Sequence, residues 1–160
     1  MNIEDLLFEE LVRKNYKVST AESCTGGLLA GTIINVSGAS KIIDMGVVTY
    51  SNEAKINLIG VDENTLISYG AVSEEVAIQM AKGIALKSGS NIGLSTSGIA
   101  GPTGGSDKKP VGMVCFGIYA NGKEFAFTHI FENLSRKLIR ESSVEFILNK
   151  LYELIKDDYI

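Results

Sequence analysis

The chain has 160 residues, of which 45% are hydrophobic and 21% charged, which suits one compact domain with a buried core and excludes a disordered tail. A formal net charge of −4 excludes a general nucleic-acid or membrane-surface binder, because both need a basic face. Two cysteines and one histidine exclude a four-ligand zinc site and a disulfide framework. The opening MNIEDLLFEELV lacks the parts of a signal peptide, and no apolar run approaches the roughly eighteen residues of a membrane span. The expected protein is cytoplasmic, reduced and free of metal or other cofactor.

The elements follow from periodicity and punctuation. Ile3, Leu6, Leu7 and Leu11 recur at helical spacing after the cap residue Asn2 and predict a helix over 3–14. A short strand is expected over 17–21. A second helix is expected to begin just after Ser23, with Leu28, Leu29, Thr32, Ile33 and Val36 inward. After a turn at 37–40, residues 42–50 read as a strand rich in Ile and Val. Asn52 is read as the cap of a short helix and Asp62 as the cap of another that ends at Gly70. Ser73, followed by Glu74 and Glu75, opens a stronger helix with Val76, Ala77, Met80, Ala81 and Ile84 inward. A strand over 91–97 leads into the glycine-rich loop 97–110. Residues 111–120 are apolar on both faces, as in a central strand. Asn121-Gly122 is a hairpin signal, because a type I′ turn needs positive φ at both positions, so 123–131 is the partner strand. A final helix is expected over about 135–157. This order predicts a single domain over 1–160: a three-layer α/β/α sandwich with a mixed, mainly parallel sheet and a C-terminal β-hairpin followed by a long helix.

Four groups of residues could carry chemistry. In STAESCTGG (19–27) a strand turns into a helix at Ser23, where the free N–H groups of Cys24, Thr25 and Gly26 could stabilise an oxyanion. Gly26 and Gly27 would let a ligand approach the backbone. A serine there is equally a helix cap, and the glycines equally serve packing. Tyr50 and Lys55, in VVTYSNEAK (47–55), fall at the carboxyl end of a strand and in the first turn of the next helix, on the rim where open α/β sheets bind ligands. A lysine acts as base for a serine only after losing its proton, which requires burial or cationic company. The Tyr50 hydroxyl could relay or orient that proton; otherwise the two are an exposed lysine and a strand-end tyrosine. Gly98, Gly101, Gly104 and Gly105 could cradle an anion, although neither a P-loop nor a G-x-G-x-x-G turn is present. Arg136 and Arg140, four apart on one helical face, suit a phosphate or are simply solvated. His129 should fall opposite Val114 on an apolar face, which argues against a Ser-His-Asp triad. Cys24 is a second possible nucleophile, with its pKa lowered by the helix N-terminus.

AESCTGG (21–27), GVVTYSNEAK (46–55), GAVSEE (70–75), SGIAGPTGG (97–105) and KPVGMV (109–114) together resemble the CinA C-terminal domain family in register and order. Stand-alone members of that family include nicotinamide-nucleotide amidases. The resemblance implies hydrolysis of the carboxamide of nicotinamide mononucleotide (NMN) to nicotinic acid mononucleotide and ammonia. It implies a nucleophile at Ser23 assisted by Lys55 and Tyr50, without a metal. It also implies oxyanion and substrate contacts from Cys24, Thr25, Gly26, Gly27, Ser97, Gly98, Ala100 and Gly101. The family's helix arginine matches Arg140, with Arg136 one turn before. Where the family shows a GDR-like approach, this chain has ENLSR (132–136), one residue longer, so the phosphate contacts stay open. Larger relatives carry a further N-terminal domain linked to competence and pyridine-nucleotide processing. The expected partners are a mononucleotide substrate and a second copy of the chain, in a homodimer or higher oligomer. The alternative is a nucleotide-binding regulatory module without hydrolysis. A short-chain dehydrogenase, which also uses Ser, Tyr and Lys, is disfavoured by the spacing of Tyr50 and Lys55 and by the missing dinucleotide turn.

Overall fold

A computed structural model describes residues 1–160. Five strands form one sheet: β1 (Val18–Glu22), β2 (Ile43–Val48), β3 (Ile92–Gly98), β4 (Met113–Ala120) and β5 (Lys123–Ile130), in the order β2-β1-β3-β4-β5. β1 pairs in parallel with β2 and β3, and the pairs β3–β4 and β4–β5 are antiparallel. The pairings therefore divide evenly, while β4 alone runs against the other four strands. The hairpin signal at Asn121-Gly122 holds: both residues have positive φ, and β5 folds back with Val114 opposite His129.

Helices cover both faces. α1 (Ile3–Lys14), α2 (Leu28–Ile33) and α6 (Arg136–Lys156) lie on one side, where Leu7, Leu11, Leu29, Ile147 and Leu151 join Leu94 and Phe116 of the sheet in the larger core. α3 (Asn52–Ile59), α4 (Glu63–Tyr69) and α5 (Glu74–Ser88) lie on the other, around Ile59, Leu66, Val76, Met80 and Ile84. The three layers are those expected. α5 sits unusually close to the sheet, because a side chain at Gly93 or Gly117 would collide with its Ala81 or Ala77 carbonyl. Ser95 bonds the same Ala77 carbonyl from within β3.

The differences from expectation gather near β1 and β2. α2 begins at Leu28 rather than just after Ser23, because Gly26 (φ 57°) and Gly27 (φ 102°) are left-handed and an α-helix cannot include them. Leu28 is consequently at the surface, whereas Leu29 and Ile33 face the core. β2 stops at Val48, so Tyr50 stands outside the strand. The cap of α3 is Ser51, whose hydroxyl accepts from Ala54 N–H at 3.0 Å, and not Asn52.

Candidate active site

The carboxyl ends of β1 and β2 meet at Ser23. Its N–H donates to Thr96 O of β3 at 2.9 Å, and Thr49 N–H donates to Glu22 O at 2.9 Å, so three strand ends are locked side by side. α3 then carries Lys55 back over them. Lys55 is 1% exposed and Ser23 9%. Lys55 Nζ donates to the carbonyls of Thr49 (2.9 Å) and Tyr50 (3.3 Å) and lies in hydrogen-bond contact with Ser23 Oγ at 3.2 Å. No carboxylate lies within ion-pair distance of this amine. Burial removes solvent from the ammonium and pushes its pKa below the usual lysine value.

The turn after Ser23 is organised by a residue that sequence reasoning overlooked. Glu22 is 1% exposed, and its Oε1 accepts from Thr25 Oγ1 (2.6 Å), Gly27 N–H (3.2 Å) and Leu29 N–H (2.8 Å). Its Oε2 accepts from Ala30 N–H at 3.1 Å. A carboxylate thus fills the positive end of α2 from inside the protein. An acid placed just before a Gly-Gly helix start was the available sequence signal. Thr25 also bonds Thr96 through their hydroxyls at 2.7 Å. Gly26 N–H turns back to Ser23 O at 3.2 Å, whereas the N–H groups of Cys24 and Thr25 donate to no protein acceptor. Of the three amides proposed for an oxyanion, Gly26 is therefore occupied and two are free.

Several expected roles change. The Tyr50 hydroxyl bonds neither Ser23 nor Lys55; it accepts from Arg136 Nη2 at 3.3 Å, and Tyr50 reaches the amine through its backbone carbonyl. The Cys24 thiol is not acidified: burial, with Glu22 adding to it, raises its pKa to about 12. His129 stacks between Phe131 (4.5 Å) and Phe146 (5.1 Å) on the apolar side of β5, yet at the surface and unbonded to the site. In the glycine-rich loop, Ser97 Oγ donates to Ala71 O at 2.7 Å, Ala100 is buried, and Gly98 closes β3. Gly101 O accepts from Arg136 Nη1 at 2.9 Å, so Arg136 ties this loop to Tyr50. Arg140 turns inward, donating from Nε to Cys24 O (3.0 Å) and from Nη2 to Thr25 O (3.1 Å). Neither arginine has a carboxylate partner. Thr49 Oγ1, also unforeseen, is buried without any hydrogen-bond partner. A cavity of about 540 Å³ lies elsewhere, between α1, α2 and α6 around Leu6, Leu28 and Leu148.

No group of three or more His, Cys, Asp or Glu side chains converges in a way that could hold a metal ion. No helix is long and apolar enough to cross a membrane.

Comparison with known proteins places these features in a family. The model of the CinA C-terminal domain matches residues 1–155. A Clostridium tetani relative is 50% identical over 149 residues, covering 93% of this chain and 36% of its own length. A CinA-like protein of Kosmotoga olearia is 54% identical over 122 residues, covering 76% of this chain and 30% of its own. The chain thus spans about a third of the length of the curated relatives it matches. Among solved structures, the competence/damage inducible protein CihA of Agrobacterium tumefaciens is 41% identical, with a TM-score of 0.91 over 95% of this chain and 94% of that one. The competence damage-inducible protein A (ComA) of Klebsiella pneumoniae is 34% identical, with a TM-score of 0.90 over 96% of each chain. The strand order, the Ser23 turn and this likeness along nearly the whole sequence lead to one conclusion: the chain belongs to the CinA C-terminal domain family.

Proposed function

We propose that the chain hydrolyses a carboxamide, with NMN as substrate and nicotinic acid mononucleotide and ammonia as products. The observation that carries this reading is the buried contact between Lys55 Nζ and Ser23 Oγ at 3.2 Å. The partners of the amine suit its neutral form. A neutral amine has two N–H groups and one lone pair, and two of its three partners are carbonyls that only accept. The lone pair is then left for the Ser23 hydroxyl, which is the arrangement of a general base and its nucleophile.

In the reaction, Lys55 takes the Ser23 proton as Oγ bonds to the carboxamide carbon. The oxyanion so formed is met by the free N–H groups of Cys24 and Thr25. The Lys55 ammonium returns the proton to the departing nitrogen, the C–N bond breaks, and ammonia leaves an acyl-Ser23 ester. Water, deprotonated by Lys55, adds to that ester; Oγ recovers the proton and the acid is released. Arg136, at the surface with donors to spare, is the cation suited to the phosphate, and that contact supplies binding energy remote from the bond being broken. The choice of NMN rests on the family resemblance together with this cationic rim.

The test is ammonia release from NMN by the purified chain and by Ser23→Ala. The expected result is turnover by the wild type and a loss of at least about 10³-fold in the variant. Undiminished turnover by Ser23→Ala would exclude the mechanism. Binding of NMN without ammonia release by the wild type would replace the enzyme with a nucleotide-binding module.

A further inference from the structure

We infer that Arg140 is a positioning residue that aims the oxyanion-binding amide of Thr25, and is not a ligand of the substrate's phosphate; this deepens the amidase reading and rests on it. Arg140 comes from α6, 116 positions along the chain from Cys24, yet two of its donors close on consecutive backbone carbonyls of the Ser23 turn. Nε holds Cys24 O at 3.0 Å, and Nη2 holds Thr25 O at 3.1 Å. The Cys24–Thr25 and Thr25–Gly26 peptides are trans, since the only cis bond is Gly101-Pro102. In a trans peptide the carbonyl and the amide N–H point in opposite directions across one rigid plane. Fixing Cys24 O therefore fixes Thr25 N–H, and aims it away from the guanidinium. Fixing Thr25 O likewise fixes Gly26 N–H, which is found on Ser23 O at 3.2 Å.

The turn is thus gripped from two sides. Glu22 takes the N–H groups of Gly27, Leu29 and Ala30 from within, and Arg140 takes the carbonyls of Cys24 and Thr25 from α6. The amides left free, Cys24 and Thr25, are the two that directly follow the serine. The guanidinium fork suits this task because its donors lie in one plane at fixed spacing. The grip is close, since a side-chain carbon at Gly26 would lie 3.3 Å from Arg140 Nη2. A preorganised amide stabilises a transition state only when its direction is set before charge develops, and losing one such donor lowers kcat by about 10²–10³-fold.

The experiment compares wild type, Arg140→Met and Arg140→Lys by NMN kinetics, by calorimetric binding of nicotinic acid mononucleotide, and by melting temperature. The expected result for both variants is a fall in kcat of about 10²-fold. KM and product affinity should stay within about threefold of wild type, since ground-state binding is not what the clamp serves. Lysine should not rescue, because one ammonium cannot span both carbonyls. If Arg140→Met fails to fold, Arg140→Ala supplemented with guanidinium ion replaces it, with kcat expected to recover as the ion is added. A rise in KM and a weaker product affinity at unchanged kcat would show a phosphate ligand and overturn the inference. Full activity in Arg140→Met would overturn it as well. A wild type that releases no ammonia overturns the amidase reading and this inference together, whereas an active wild type with a fully active variant overturns the inference alone.

Discussion

Lys55 has no anion beside it and almost no water, and those two facts set its charge. Burial makes its ammonium unfavourable in the folded state only, so its pKa there lies below the roughly 10.4 of an unfolded lysine. The sign follows from proton counting. Between the lowered value and the ordinary one, the unfolded chain holds a proton that the folded chain has lost, so stability rises with pH across that window. Activity has its own limb: kcat/KM on NMN should climb with pH through the lowered pKa, as the free amine appears. Ammonia release measured against pH checks this, and a midpoint at the ordinary lysine value would remove Lys55 as the base. Lys55→Arg should be inactive throughout the range, because a guanidinium keeps its proton. The neighbouring Thr49 gives the opposite kind of prediction. Its hydroxyl is buried and bonds to nothing, and an unpaired buried hydroxyl is a net cost. Thr49→Val removes the hydroxyl at nearly constant volume and should stabilise the fold by about 1 kcal/mol, or roughly 3 °C in Tm by calorimetry. A lower Tm would show that the hydroxyl has a partner after all.

α2 shows what local pattern can and cannot reveal about an element. α1, α5 and α6 were legible because their apolar stripes are long; Asn2 and Ser73 stand where a helix start was expected, and α6 begins within a residue of the expected 135, capped by Ser135. The hairpin was legible for a local reason too, since Asn121-Gly122 needs no information from elsewhere. α2 has only six residues, and its start is decided by two left-handed glycines and a buried carboxylate on the preceding strand. Nothing in the periodicity of 28–36 reports a partner at 22. Glu22 should therefore carry much of the stability of this turn. Glu22→Gln keeps the shape but sets an NH2 group against some of the donors that the carboxylate accepted from: Thr25 Oγ1 and three backbone amides. A loss of roughly 2–4 kcal/mol is expected, read as a lower urea midpoint with faster amide exchange at Leu29 and Ala30. An unchanged midpoint would mean that the glycines alone hold the turn.

Across the molecule, the site exists only because distant segments arrive at one sheet end. Ser23 comes from the turn after β1, Lys55 from α3 and Arg140 from α6, so no window of sequence contains the site. The sequence reading brought Ser23 and Lys55 to one rim through a single argument, that ligands gather at the carboxyl ends of parallel strands, and the coordinates put the two in contact. Strand ends give no directions for side chains, so the bond of the Tyr50 hydroxyl to Arg136 and those of Arg140 to the Ser23 turn were not legible in the sequence. Tyr50 points outward to Arg136, and Arg140 points inward to the Ser23 turn. A site shared among β1, α3 and α6 also has a thermodynamic consequence. A ligand held there crosslinks both helical layers to the sheet, so it should stabilise the whole fold and not one loop. With nicotinic acid mononucleotide at 100 times its dissociation constant, the expected gain is about 2.7 kcal/mol, or roughly 5–11 °C in Tm for a chain of this size. Amide exchange should slow together in β1, α3 and α6. Ser23→Ala should keep this shift while losing turnover, because the nucleophile is needed for chemistry and the rest of the pocket for binding. A shift confined to one helix, or none in a turnover-competent wild type, would mean that the ligand is held by a single element and that these segments converge only to build the fold.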